Sequence, residues 1–154
     1  MRVSLLAVGR PRHAGLAAAI QDYESRAARY WPLDVIEVKE ESARGATADH
    51  VRARESERLL ERLAPDARVV ACDPGGDAMD SEAFAQWLSA LRDRAQSVAF
   101  VIGGAYGLGT PIRARAMRRL SLAPWTLPHE LARLVLSEQL YRAGTIARGE
   151  PYHK

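Results

Sequence analysis

Four short apolar runs, each parted from the next by a stretch of helical periodicity, restrict this chain to few architectures. Arg2 to Val8 reads as a buried strand closed by Gly9 and Pro11. Over residues 13–30, Leu16, Ala19, Ile20, Tyr23, Ala27 and Tyr30 recur at helical spacing, and Pro32 ends that helix. Asp34 to Lys39 alternates apolar and polar side chains, as a half-buried strand does. A charged helix follows over residues 47–64, with Val51, Leu59, Leu60 and Leu63 as its apolar stripe. Arg68 to Asp73 is the third strand, and Pro74-Gly75-Gly76 the turn after it. Asp80 caps a helix that carries Phe84, Trp87, Leu88 and Leu91. The fourth strand, Ser97 to Ile102, empties into a glycine-rich loop from Gly103 to Gly109. A short arginine-bearing helix over 111–120 and a long helix over 129–148 complete the pattern. Strands alternating with helices imply a largely parallel sheet with helices on both faces, one α/β domain spanning residues 1–154.

The totals narrow the chemistry. One cysteine, Cys72, excludes a disulfide framework within the chain. Its place in a strand suggests a packed side chain and not a nucleophile. Four scattered histidines make no metal-ligand spacing, so no metal is expected. No apolar run approaches membrane-spanning length, and the expected location is the cytoplasm. The formal charge of +3 points only weakly to an anionic partner. Arg113, Arg115, Arg118 and Arg119 fall close together; they form either a solvated helix face or a phosphate-contacting surface.

The final helix is apolar on two sides. Leu131, Leu134, Val135, Tyr141 and Ile146 define one face, while Leu136 and Leu140 lie on the other. Such a helix packs on its own sheet and on something else, a second copy of the chain being the economical partner. A helix buried within a monomer accounts for the leucines as well.

Two loops carry the candidate site. Gly104 to Gly109 reads G-x-x-G-x-G, which is neither the dinucleotide fingerprint nor a P-loop. Glycines at a strand end do allow a ligand close to the bare backbone. In Leu122-Ala123-Pro124-Trp125-Thr126-Leu127-Pro128-His129, two prolines stiffen the chain around Trp125 and Thr126, and Leu122 and Leu127 supply apolar walls. A rigid loop of this kind can offer main-chain N–H and C=O groups to a purine edge, or can simply cap the last helix.

These segments, with the MRVSLLAVG opening, DVIEV, VAFVIGGAYGL, TLPHELARLVLSEQLYRA and the closing RGEPYHK, resemble the ribosomal RNA large subunit methyltransferase H family from end to end. The resemblance implies a SPOUT-class parallel α/β/α fold with a C-terminal trefoil knot. It implies a homodimer that methylates N3 of a pseudouridine in 23S rRNA with S-adenosylmethionine. By position, cofactor contacts fall on Cys72, Gly103, Leu122, Ala123, Pro124, Trp125, Thr126 and Leu127.

An imino nitrogen must lose its proton to accept a methyl group, so a positioned base is expected. Glu138, a carboxylate set in an apolar stripe, is the first candidate, with Arg142 one turn on as its partner or as a holder of a phosphate or uracil oxygen. The pair can equally be a structural i,i+4 bridge. Tyr152 and His153 form a second candidate pair, able to stack on a base or shuttle its proton. Arg133 and the arginine cluster are candidate rRNA phosphate contacts, and His129 a residue capping or lining the cofactor loop. The alternatives are a relative acting on another RNA such as tRNA, a non-catalytic RNA-binding module of the same fold, and a nucleotide-binding α/β domain.

Overall fold

In a computed structural model, residues 1–152 are described in full and His153 by its backbone alone. The chain runs β1 (Val3–Val8), α1 (Ala14–Ala27), β2 (Leu33–Val38), α2 (Ala48–Glu61), β3 (Arg68–Ala78), α3 (Ser81–Asp93), β4 (Val98–Ile102), α4 (Thr110–Arg115), β5 (Arg118–Ser121), α5 (His129–Ala147) and a closing 3-10 turn, Pro151–His153. The five strands pair in the order β2-β1-β4-β3-β5, every pair parallel.

Strand alternation divides the interior into two layers. Val3, Leu5 and Ala7 of β1 join Val98, Phe100 and Ile102 of β4 on one face, under Phe84 and Leu88 of α3 and Leu136 and Leu140 of α5. Leu6, Val8, Ala99 and Val101 face the other way, under Leu59 of α2 and Ile112 of α4. Both faces are thus covered, as continuous apolar strands require. The helices that follow β3 and β4 leave to opposite faces. That divergence opens a crevice at the carboxyl ends of these two neighbouring strands, where open parallel sheets bind ligands.

The structure corrects two readings of the sequence. The arginine-bearing segment is a helix only over Thr110–Arg115; residues Arg118–Ser121 add a fifth strand beside β3. Its apolar content is low because it is an edge strand, where charged side chains are favoured. Nor does β3 stop at Asp73. It continues to Ala78 through an irregularity in which Cys72 and Asp77 both face Leu120. Gly76 permits this, since a Cβ there would lie 2.6 Å from the main-chain carbon of Arg119.

Helix α5 is seated by α1 and the turn after it. The buried Trp31 indole donates from Nε1 to the Leu140 carbonyl at 2.9 Å. Four residues on, Gly144 lies under the Tyr30 ring, where a Cβ would sit 2.3 Å from Cγ. Leu136, Leu140 and Ala143 are fully buried, whereas Leu131, Leu134 and Val135 are only partly buried and lie outside both core layers. Tyr141 and Ile146, assigned by periodicity to that outer face, pack instead against the core.

Gly144→Ala sets two effects against each other. Alanine favours a helix by about 1 kcal/mol, but the methyl group must displace a tyrosine ring, at about 1–3 kcal/mol. The clash is expected to win, giving a lower denaturation midpoint in urea.

Candidate functional site

The crevice at the ends of β3 and β4 is an open cleft with a cavity of about 140 Å³. Cys72, Asp73 and Pro74 form one wall, and Ile102 leads into a floor of Gly103, Gly104, Ala105 and Gly107. Leu122, Ala123, Trp125, Thr126 and Leu127 close the far side, with His129 and Ala132 at the start of α5. The structure therefore brings Cys72, Gly103 and the 122–127 run together around one space. Pro124 does not line it. His129 lines the cleft without capping the helix, since Pro128 holds the cap position and provides no side-chain cap bond.

The walls are largely apolar. Burial pushes the Cys72 thiol up to about 12, so the sulfur is a neutral wall atom and not a nucleophile. Asp73 is the charged exception, and sequence reasoning missed it. Burial opposes its ionisation, but the Gly75 N–H (2.9 Å) and the guanidiniums of Arg113 (3.1 Å) and Arg119 (3.2 Å) outweigh that and hold the carboxyl below its ordinary value.

The arginine cluster is not one face. Arg113 and Arg119 converge on Asp73, Arg115 donates to the Pro65 and Ala67 carbonyls, and Arg118 lies over the Trp87 ring. Arg133 is no phosphate contact at all. It is 5% exposed and pairs with Glu24 of α1 and Glu37 of β2, both at 2.8 Å.

The candidate catalytic group assembles elsewhere on α5. Glu138 Oε1 accepts from Arg142 Nε (3.0 Å), Arg142 Nη2 (2.6 Å) and the Tyr152 hydroxyl (3.1 Å), while Oε2 accepts from Gln139 (2.7 Å). The Tyr152 ring lies 4.9 Å from the Arg142 guanidinium and 4.6 Å from the Tyr141 ring. Burial, the bond with Tyr23 and the charge of Glu138 raise the Tyr152 phenol above its usual range, so it stays a proton donor. Both carboxylate oxygens of Glu138 thus face hydrogen-bond donors. None of Glu138, Arg142 and Tyr152 lines the cleft, and Glu138 stands six residues beyond Ala132, about 9 Å along the helix. The His153 side chain and Lys154 lie outside the described residues.

A family model described as a predicted SPOUT methyltransferase matches residues 1–153. A protein named Ribosomal RNA large subunit methyltransferase H from Gemmatimonas aurantiaca is 72% identical over 154 residues, covering 100% of each chain. The chain belongs to this family of SPOUT methyltransferases. A family member of the same name from Anaeromyxobacter sp. (strain K) is 46% identical with the same coverage. Among solved structures, a probable methyltransferase from Bordetella pertussis Tohama I superposes with a TM-score of 0.56 at 21% identity, covering 93% of this chain and 94% of that one. A probable methylase family protein from Haemophilus influenzae Rd KW20 gives 0.55 at 13% identity, covering 99% and 70%. These two share the fold. Among the described residues, no group of His, Cys, Asp and Glu could hold a metal ion, and no helix is long and apolar enough to cross a membrane.

Removing the Arg133 guanidinium leaves Glu24 without its ion-pair partner and Glu37 with only the exposed Arg10 at 3.6 Å. Arg133→Ala is expected to lower unfolding free energy by about 3–5 kcal/mol. The salt slope of RNA binding should not change, because the guanidinium does not reach solvent.

Proposed function

We propose that this chain is an S-adenosylmethionine-dependent methyltransferase that modifies N3 of a pseudouridine in 23S rRNA, acting as a homodimer in the cytoplasm. The observation that carries the reading is a largely apolar cleft at the switch point of the sheet, floored by the Gly103 loop and walled by 122–127, in a chain related end to end to that family. An adenosyl group suits such walls: Ile102, Leu122 and Leu127 offer apolar surface, and two loops offer main-chain donors and acceptors. Cys72, Gly103, Leu122, Ala123, Trp125, Thr126 and Leu127 are the residues that hold the donor, and Pro124 stiffens the run they stand on. When bound, it supplies a methyl group already activated on a sulfonium centre. The trefoil knot belongs to the same reading, supported by the closeness of the 122–127 run to the Gly103 loop.

The protein's part is to bring the nucleophile into line and to remove one proton. Glu138 is the base, Arg142 orients it, and Tyr152 keeps its phenolic proton while bonded to the same carboxylate oxygen. In one chain this group stands too far along α5 to act in the cleft, so a second copy delivers it. The partly buried Leu131, Leu134 and Val135 on α5, outside both core layers, support such a pairing, as an isologous contact needs an apolar patch shared by both copies. His153 belongs to the same assignment, as a residue able to stack on the target nucleobase or shuttle its proton.

Two experiments test this reading. Mass mapping of 23S rRNA from cells lacking the protein should show one methyl group lost from a pseudouridine; an unchanged map overturns the substrate. Donor calorimetry on the purified chain separates the enzyme from a mere RNA-binding module, which need not bind it.

The shared site has its own signature. Glu138→Ala and Thr126→Trp, which fills the cleft, should each abolish methyl transfer. Mixed and reassembled in equal amounts, they should regain about a quarter of the wild-type rate, since half the dimers then hold one intact site of two. No recovery on mixing would mean that each chain works alone.

A further inference from the structure

The glycine loop that floors the cleft is held from below by α2. Arg52 Nη1 reaches the Tyr106 carbonyl at 3.4 Å, and Ser56 Oγ accepts from the Gly109 N–H at 3.1 Å. Between these two contacts lies Glu55, 2% exposed. Its Oε2 accepts from the Glu41 main chain at 3.1 Å, while Oε1 is buried without a hydrogen-bond partner. A Cβ on residue 104 would lie 2.8 Å from Oε1 and 3.2 Å from Oε2. The carboxyl therefore occupies the space that any side chain at position 104 would need. A buried polar atom left unpaired beside a ligand cleft calls for a physical reason.

We infer that Glu55 is a positioning residue for the methyl-donor site: its carboxyl, seated in the space left by Gly104, sets the height of the loop that floors the cleft. This rests on the function proposed above. Glu55 touches no reacting group. It acts through Gly104, which lines the cleft on its other side.

The surroundings decide which form of the carboxyl is seated. Burial raises its pKa, the Glu41 N–H opposes that, Glu40 adds to it, and Arg58 and His129 lower it, with a net rise. Glu40 pairs with Arg12 at 2.8 Å, and Arg58 with Glu41. A raised acid is neutral in the fold below its shifted pKa, and its ionisation there is disfavoured. As pH rises through that value, a charge forms against the loop and donor affinity should fall.

Calorimetry with S-adenosylmethionine, and hydrogen exchange of the Gly104 to Leu108 amides, test the proposal on the full-length protein. Glu55→Ala should weaken donor binding about tenfold or more and speed exchange in the loop. Glu55→Gln, with the same shape and no charge, should restore both, and its affinity should no longer fall with rising pH. The proposal is overturned if alanine matches wild type in both readouts, if glutamine is as damaged as alanine, or if the pH dependence survives in the glutamine variant.

Should Glu55→Ala fail to fold, Gly104→Ala serves instead. It should loosen the loop in the native background and loosen it less in the Glu55→Asp background, where the shorter side chain makes room; equal effects would overturn the idea. If the wild-type chain binds no donor at all, the functional reading falls, and the exchange data still decide the role of Glu55.

Discussion

The guanidinium of Arg133 ties three elements together at the point where α5 begins. Through Glu24 it fixes the helix to α1, and through Glu37 to the edge strand β2. Further along, the Trp31 indole holds the Leu140 carbonyl, and Gly144 admits the Tyr30 ring. These contacts fix α5 in rotation and in position along its axis. The consequence is functional, because His129 and Ala132 at its first turns line the cleft and the 122–127 run ends where it begins. An error of one residue in that docking would swing the far wall away from the Gly103 loop. A buried ion pair contributes little net stability over a well-packed apolar substitute. What it does supply here is a single allowed register.

Elements built on apolar periodicity were legible from the sequence. The β1 and β4 strands, α1, α3 and α5 announce themselves by burying one face or both, and the structure returns them within a few residues. The β5 strand was not legible, because its main chain pairs with β3 while two of its four side chains are arginines that go elsewhere. Periodicity reports burial, and an edge strand that buries only Leu120 gives almost none. The extension of β3 was hidden for a related reason. Pro74-Gly75-Gly76 has the composition of a turn, yet here it forms an irregular stretch of strand whose glycine permits close approach to Arg119.

At the site, the resemblance to the family located the cleft walls, whereas residue chemistry alone offered only two loops of suitable kind. The reading of Arg133 failed because charge was taken as a sign of exposure. Glu55 and Asp73 escaped for the same reason, and for Glu55 a signal was present. Val51, Glu55 and Leu59 are spaced four apart, so the carboxylate falls inside the very stripe that buries its two neighbours. A charged residue at a stripe position is worth more notice than any number of charged residues off it.

The loop glycines do more than leave room beside the backbone. In sequence they suggest room for a ligand to approach the backbone, but the structure assigns them other tasks. A Cβ at 103 would strike the Gly107 main chain, one at 104 would strike Glu55, and one at 109 would strike Ser56. Gly107 sits at φ +78°, in the left-handed region that closes the Gly104–Gly107 turn. The loop is glycine-rich because Gly104 and Gly109 lie against α2, Gly103 lies against the loop's own Gly107, and Gly107 needs a positive φ. Its shape is therefore set before any ligand arrives, and less conformational freedom remains to be lost when one binds.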